Sequence, residues 1–164
     1  MCSSDLFEHL VVGTASATAQ VTDTTTDATV SLSASTVGEG DAANYVFTAT
    51  LSNASQGVTT ITTDQGEITI ANGETTGTLT IPSGNVEDVY KDGSSLTANI
   101  TSVSGGNFEH LVVGTASATA QVTDTTTDAT VDLSASTVGE GAGANYVFTA
   151  TLSNASQGVT TITT

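Results

Sequence analysis

Basic residues are all but missing from this chain: of 164 residues only Lys91 is Lys or Arg, against 17 Asp and Glu. Phosphate binding needs a Lys/Arg patch, so nucleic acid and anionic membrane surfaces are excluded as partners. A single cysteine, Cys2, cannot close an intramolecular disulfide. Nothing around it resembles a Cys/His metal site or an activated thiol, which removes redox chemistry. No apolar run reaches the 18 residues that a transmembrane helix needs, so direct membrane insertion is not expected. The opening Met-Cys-Ser-Ser-Asp-Leu has neither the basic start nor the apolar stretch of a signal peptide. Tryptophan is absent, proline occurs once, and no segment keeps a 3.6-residue apolar period, so helix is not expected.

What the chain does hold is threonine, 35 residues of it, within a composition that is 37% apolar and carries a net charge of −16. Thr and Val favour strands, and the apolar fraction suffices for a core, so charge-driven disorder does not fit. The class to explain is acidic and all-β, and the expected partner of such a charge is a cation.

An internal repeat dominates the sequence. Phe7–Thr63 recurs as Phe108–Thr164 at an offset of 101, with three differences in 57 positions: Ser31/Asp132, Asp41/Ala142 and Ala42/Gly143. Near-identity at this spacing reads as recently duplicated tandem units, with both chain ends cutting through a repeat. The expected division is 7–26 as the C-terminal remnant of a preceding repeat, 27–127 as one complete repeat, and 128–164 as the start of the next. The flanks lack a counterpart of residues 64–107, so a well-formed central domain with exposed strand edges beside it is expected. Residues 1–6 have no counterpart in the second copy. Read back into codons, Cys2–Leu6 matches the end of a common sequencing adapter, so 1–6 are expected to be a non-native N-terminus.

Within 27–127, alternation marks seven strands: Val30/Leu32/Ala34, Tyr45/Phe47/Ala49/Leu51, Thr59–Thr62, Glu67–Ile70, Leu79/Ile81, Leu96/Ala98/Ile100 and Ala116/Ala118/Ala120/Val122. Turn signals such as Ala71-Asn72-Gly73 and Gly105-Gly106-Asn107 separate them. Seven short strands in about 100 residues predict an immunoglobulin-like β-sandwich.

An odd number of up-and-down strands sends the loops after strands one, three, five and seven to the C-terminal pole. Those loops carry Glu39 and Asp41, then Asp64, then Glu87, Asp88 and Asp92, then Asp124, with Asp128 just beyond in the Asp-Thr-Thr-Thr-Asp linker. The other pole holds Glu74, Glu109 and Asp27. Carboxylates gathered without Lys or Arg repel one another unless a cation intervenes. Six to eight hard oxygen ligands drawn from loops suit Ca2+, whereas Mg2+ demands tighter octahedral geometry and zinc prefers His or Cys. The competing explanation, a solvated acidic surface that maintains solubility, would not favour one pole and a linker.

Val37-Gly38-Glu39-Gly40, Tyr45-Val46-Phe47-Thr48, Asp88-Val89-Tyr90-Lys91-Asp92-Gly93, Gly105-Gly106-Asn107-Phe108-Glu109 and the Thr-Asp-Thr-Thr terminus form an ordered series. In that series the chain after Leu6 resembles the immunoglobulin-like extender repeats of giant bacterial RTX adhesins, with some Calx-beta and cadherin-like character. The resemblance implies tandem domains rigidified by calcium, secreted by a type I system to the bacterial surface, and holding a distal ligand-binding region away from the cell for adhesion and biofilm formation. It also implies metal-ligand roles for Glu39, Asp88, Asp92, Asp124 and Asp128, and in the partial copies for Asp23, Asp27 and Glu140. Glu87 joins the candidates by its place in the acidic loop. Asp41 is Ala142 in the second copy, so position 41 is not expected to be essential.

Other chemistry is weak. His9 and His110 occupy one repeat position, before the last strand and at the acid-poor pole, and no pocket-forming Ser/His/Asp set accompanies them. The chain is therefore not expected to be an enzyme. The alternative reading, a glycan- or ice-binding adhesin module, needs one flat Thr-rich or aromatic face. Thr here spreads along linkers and strands, and the Tyr and Phe residues fall on core positions. The expected partners are neighbouring repeats of the same chain.

Overall fold

A computed structural model describes residues 8–40 and 42–164. Asp41 and the hexapeptide 1–6 lie outside the described residues. No helix occurs among those described, and the strands form two facing sheets plus a separate hairpin.

Nine strands build the sandwich: β1 (Asp27–Ala34), β2 (Thr36–Gly38), β3 (Asn44–Leu51), β4 (Thr59–Thr63), β5 (Gly66–Ile70), β6 (Thr76–Pro82), β7 (Ser94–Gly105), β8 (His110–Val113) and β9 (Ser117–Thr123). One sheet runs β6-β3-β1-β8 and the other β2-β9-β7-β4-β5. Each run of alternating residues that predicts a strand is one. The two strands not expected arise because the first and last runs change sheets partway. At Ser35 the amide donates to Val46 O of β3 (3.0 Å), while the carbonyl accepts from Gln121 N of β9 (3.0 Å). That single residue serves both sheets, and β1 ends where β2 begins. The last run crosses between β8 and β9 at Gly114, whose N–H donates to Val30 O at 2.8 Å. First and last runs therefore lie parallel to each other throughout, β1 against β8 and β2 against β9. Alternation gives no warning of β8, because Leu111-Val112-Val113 is a continuous apolar run.

The core fills the space between the sheets. Val30, Leu32, Tyr45, Phe47, Ala49 and Leu51 from one meet Ile61, Ile68, Ile70, Ala98, Ala120 and Val122 from the other, all buried. Burying one large aliphatic or aromatic side chain is worth about 1.5–3 kcal/mol, and these residues sit at every second position of their strands. Gly77 closes one side of the sandwich: a Cβ there would lie 2.4 Å from Thr69 O, so only glycine lets β6 approach β5. The Gly105-Gly106-Asn107 turn needs three residues with φ of 85, 76 and 53°, the left-handed region that Gly and Asn tolerate best.

The outward faces carry hydroxyls. Cross-strand pairing places Ser33, Thr48 and Thr78 in one row and Ser31, Thr50 and Thr76 in the next. On the other sheet Thr97 hydrogen-bonds Thr119 at 2.8 Å. The alternation shows only that these threonines face outward. It does not show the rows.

Residues 128–164 contribute a hairpin, β10 (Val131–Ala135) with β11 (Phe148–Leu152). Its register, Val131↔Leu152 to Ala135↔Phe148, reproduces that of β1 with β3, Val30↔Leu51 to Ala34↔Phe47. Without facing strands it buries little: Phe148 is 66% exposed where Phe47 is 0%. Residues 8–26 form no strand, although their sequence is that of 109–127.

Candidate metal centre

Parallel pairing of β2 with β9 matches Gly38 to Thr123, and Glu39 N donates to Thr123 O at 3.0 Å. This holds Glu39 beside Asp124, the first residue past β9. Antiparallel pairing of β7 with β9 starts at Ser94↔Val122, so the chain entering β7 runs past Asp124 as well. The backbones run close at Gly93, where a Cβ would lie 3.2 Å from Asp124 N and Val122 O. Asp92 N then donates to Asp124 Oδ1 at 3.3 Å. Three carboxylates from three chain segments meet at the end of one sheet: one oxygen each from Glu39, Asp92 and Asp124 lie within 4.8 Å of one another.

Glu39 is 8% exposed, Asp124 half-buried and Asp92 exposed. Glu39 Oε1 accepts from Thr125 N (3.2 Å) and lies 3.3 Å from Thr125 Oγ1. Its other oxygen, Oε2, is buried with no hydrogen-bond partner. Burial pushes the Glu39 carboxyl above the ordinary value of 4.5; the Thr125 amide opposes this, and Asp92 and Asp124 add to the rise. An acceptor-only group buried without a donor is costly, and one facing two like charges is more so. A cation at this point would supply what Oε2 lacks. The three acids could hold a metal ion.

Asp92 is braced from the core side. Tyr45 OH donates to Ser94 Oγ (2.7 Å), Ser94 Oγ donates to Asn85 Oδ1 (2.8 Å), and Asn85 Nδ2 donates to Asp92 O (2.7 Å). This chain of side chains links a buried strand residue to the acidic loop, and acid counting gives no sign of it. Its one legible signal is Tyr45, a tyrosine on a core-facing position whose hydroxyl must find a partner when buried.

The remaining candidates are placed differently. Glu87 accepts from the hydroxyls of Thr125 and Thr127, which hold its carboxyl below the ordinary 4.5. Thr125 Oγ1 has one hydrogen to give and lies closer to Glu87 than to Glu39. Glu87 thus ties down the linker beside the three-acid cluster. Asp88 Oδ1 accepts from Tyr90 N at 2.6 Å, a local turn bond characteristic of Asp. Asp128 is exposed and stands outside the cluster, as do Asp23, whose Oδ1 accepts from Thr24 N, and Glu140, in the β10–β11 connection. Asp27 begins β1 at the far end of the sandwich, 2.7 Å from His110 Nδ1.

Asp64 is a correction to the strand-parity argument. Thr63 pairs with Ile100 across a register shift, so β4 ends midway along β7 and does not reach the pole. Asp64 accepts there from Asn99 N (2.8 Å) and Asn99 Nδ2 (2.7 Å), and these bonds hold its carboxyl below the ordinary 3.8. Parity assigns loops to ends of a sheet only when strands are equally long, and β4 has 5 residues against 12 in β7.

Comparison with protein families gives one finding that spans the sandwich: a family model described as the LapA domain matches residues 26–125. No curated protein matches the chain.

Proposed function

The chain belongs to the LapA domain family, a family of adhesin-related domains, and from this we propose that it is a structural extender of a large bacterial cell-surface adhesin. In this reading immunoglobulin-like units repeat in tandem every 101 residues, Ca2+ stiffens each junction, and the array holds a distal ligand-binding region away from the cell. Its work is mechanical, with no catalysis, and its immediate partners are the neighbouring units. Export by a type I system and an RTX character belong to the same proposal.

The observation that carries the calcium reading is Glu39 Oε2, buried without a donor and facing Asp92 and Asp124. The donors are all oxygen, which suits Ca2+ and not zinc. Oxygens that lie within 4.8 Å of one another are no farther apart than about two Ca–O bonds of 2.3–2.6 Å. Glu39, Asp92 and Asp124 would hold the ion, and backbone carbonyls and water would complete its shell. Bound there, Ca2+ would offset two of the three carboxylate charges at the point where the Thr125–Thr127 linker leaves the sandwich. The linker is already tied to Glu87 and Glu39, so fixing the cluster fixes the direction of the linker.

Calorimetry of the full chain with Ca2+ and with excess chelator tests this. Binding confined to the folded state adds about 2.7 kcal/mol at a hundredfold excess over Kd, so the melting temperature should fall when Ca2+ is removed. Identical melting in both conditions would reject the calcium reading.

A further inference from the structure

The loop entering β7 makes one contact that belongs to no metal cluster. Tyr90 OH donates to Ala155 O at 2.6 Å, across 65 residues of sequence, from the acidic end of the sandwich to the turn that follows β11. That turn, Ser153-Asn154-Ala155-Ser156-Gln157-Gly158, has the sequence of Ser52–Gly57.

It has the same internal bonding too. Ser52 Oγ and Ser153 Oγ each donate to the next asparagine at 2.7 Å, and Ser55 and Ser156 bond Gly57 O and Gly158 O at 2.8 and 2.6 Å. Thr29 N and Thr130 N reach the first serine at 3.0 Å in both copies. The turn is therefore a preformed unit, and the carbonyl that receives Tyr90 exists again at Ala54. Beside Ala54 lies a cavity of about 220 Å³, whose lining includes the apolar Ala28, Ala54 and Phe108 and the polar Asp27, Asn53 and Gln56. A lining of both apolar and polar groups suits a phenol. Tyr90 itself is set in position by the Asp88–Tyr90 turn bond.

We propose that Tyr90 docks one unit onto the next through the carbonyl of the Ser-Asn-Ala-Ser turn, and that the cavity beside Ala54 receives the corresponding tyrosine of a preceding copy of this unit. The proposal rests on the reading that such units stand in tandem, and it gives the junction a second fastening that does not depend on metal. An ion fixes the linker, while the tyrosine limits how the following unit can turn about it.

The test places a photoreactive benzophenone amino acid at position 90 of the full chain, in Ca2+ and in excess chelator. Adducts at 153–158 within single chains, together with dimers joined at 52–57 when the protein is concentrated, are expected under both conditions. Adducts confined to the loop 85–93, scattered over the surface, or formed only with Ca2+ would overturn the proposal. A second readout uses Tyr90→Phe, which keeps the ring and removes the donor. Amide exchange in 153–158 should accelerate about three- to tenfold, the weight of one net hydrogen bond, with β3 and β7 unchanged, and no acceleration would overturn it. A melting temperature indifferent to chelator in these chains rejects the calcium reading and leaves the adduct pattern as evidence for the docking.

Discussion

Ionisation of Glu39 is disfavoured in the folded state, because its Oε2 is buried without a donor and Asp92 and Asp124 lie beside it. Its folded-state pKa is raised, so in metal-free protein the proton binds the folded form more tightly. The stability this gives is complete below the ordinary value of 4.5 and is lost as pH rises through the folded value. Glu39→Gln should therefore raise the melting temperature at pH 7 in chelator and abolish the response to Ca2+, both read by calorimetry. Asp64 has the opposite sign. Its pKa is lowered by Asn99, so its contribution is present above 3.8 and disappears as pH falls through the folded value. Asp64→Ala should be less stable than the parent at pH 7, and denaturant melts of the two should converge at strongly acidic pH. The acids themselves are plain in the sequence. Which of them are committed elsewhere is not: Asp64 is spent on Asn99, Asp88 on its own turn, and Asp27 lies beside His110.

At the scale of elements, identical sequences in this chain fold differently. Val122 in β9 is 2% exposed, whereas its copy Val21 is fully exposed and lies in no strand. Thr59–Thr63 is β4 between β5 and β7, while residues 160–164 form no strand beside absent partners. Strand formation here depends on pairing and on burial of the inner face, so Thr/Val propensity is permissive and context decides. Removing part of that burial has a calculable cost: Ile68→Ala, at a fully buried position between the sheets, should lose about 2–5 kcal/mol in denaturant unfolding. The brace from Tyr45 through Ser94 and Asn85 to Asp92 joins core and loop. Tyr45→Phe should keep the core, lose about 0.5–1.5 kcal/mol for the hydrogen bond, and weaken Ca2+ binding in a calorimetric titration. Unchanged affinity would separate the brace from the site.

For the molecule as a whole, stability is concentrated in one sandwich with loosely packed flanks. Limited proteolysis should cut first within 8–26 and 139–147, leaving a core near 27–127 by mass spectrometry; uniform resistance would contradict this distribution of burial. Alternating residues, turn signals and a 101-residue repeat, all local features of the chain, are enough to specify an all-β sandwich, its core positions and an acidic loop region. Meeting points are not local. The first strand changes sheets at Ser35, the last at Gly114, and β4 stops halfway along β7. The two crossings set β2 beside β9 and so Glu39 beside Asp124, the pairing of β7 with β9 adds Asp92, and the short β4 removes Asp64. Sequence alone determined which residues are acidic and which faces are apolar, since both follow from side-chain chemistry and strand period. Only the tertiary structure decided which carboxylates share a site, because that depends on strand length and sheet pairing between segments far apart in the chain.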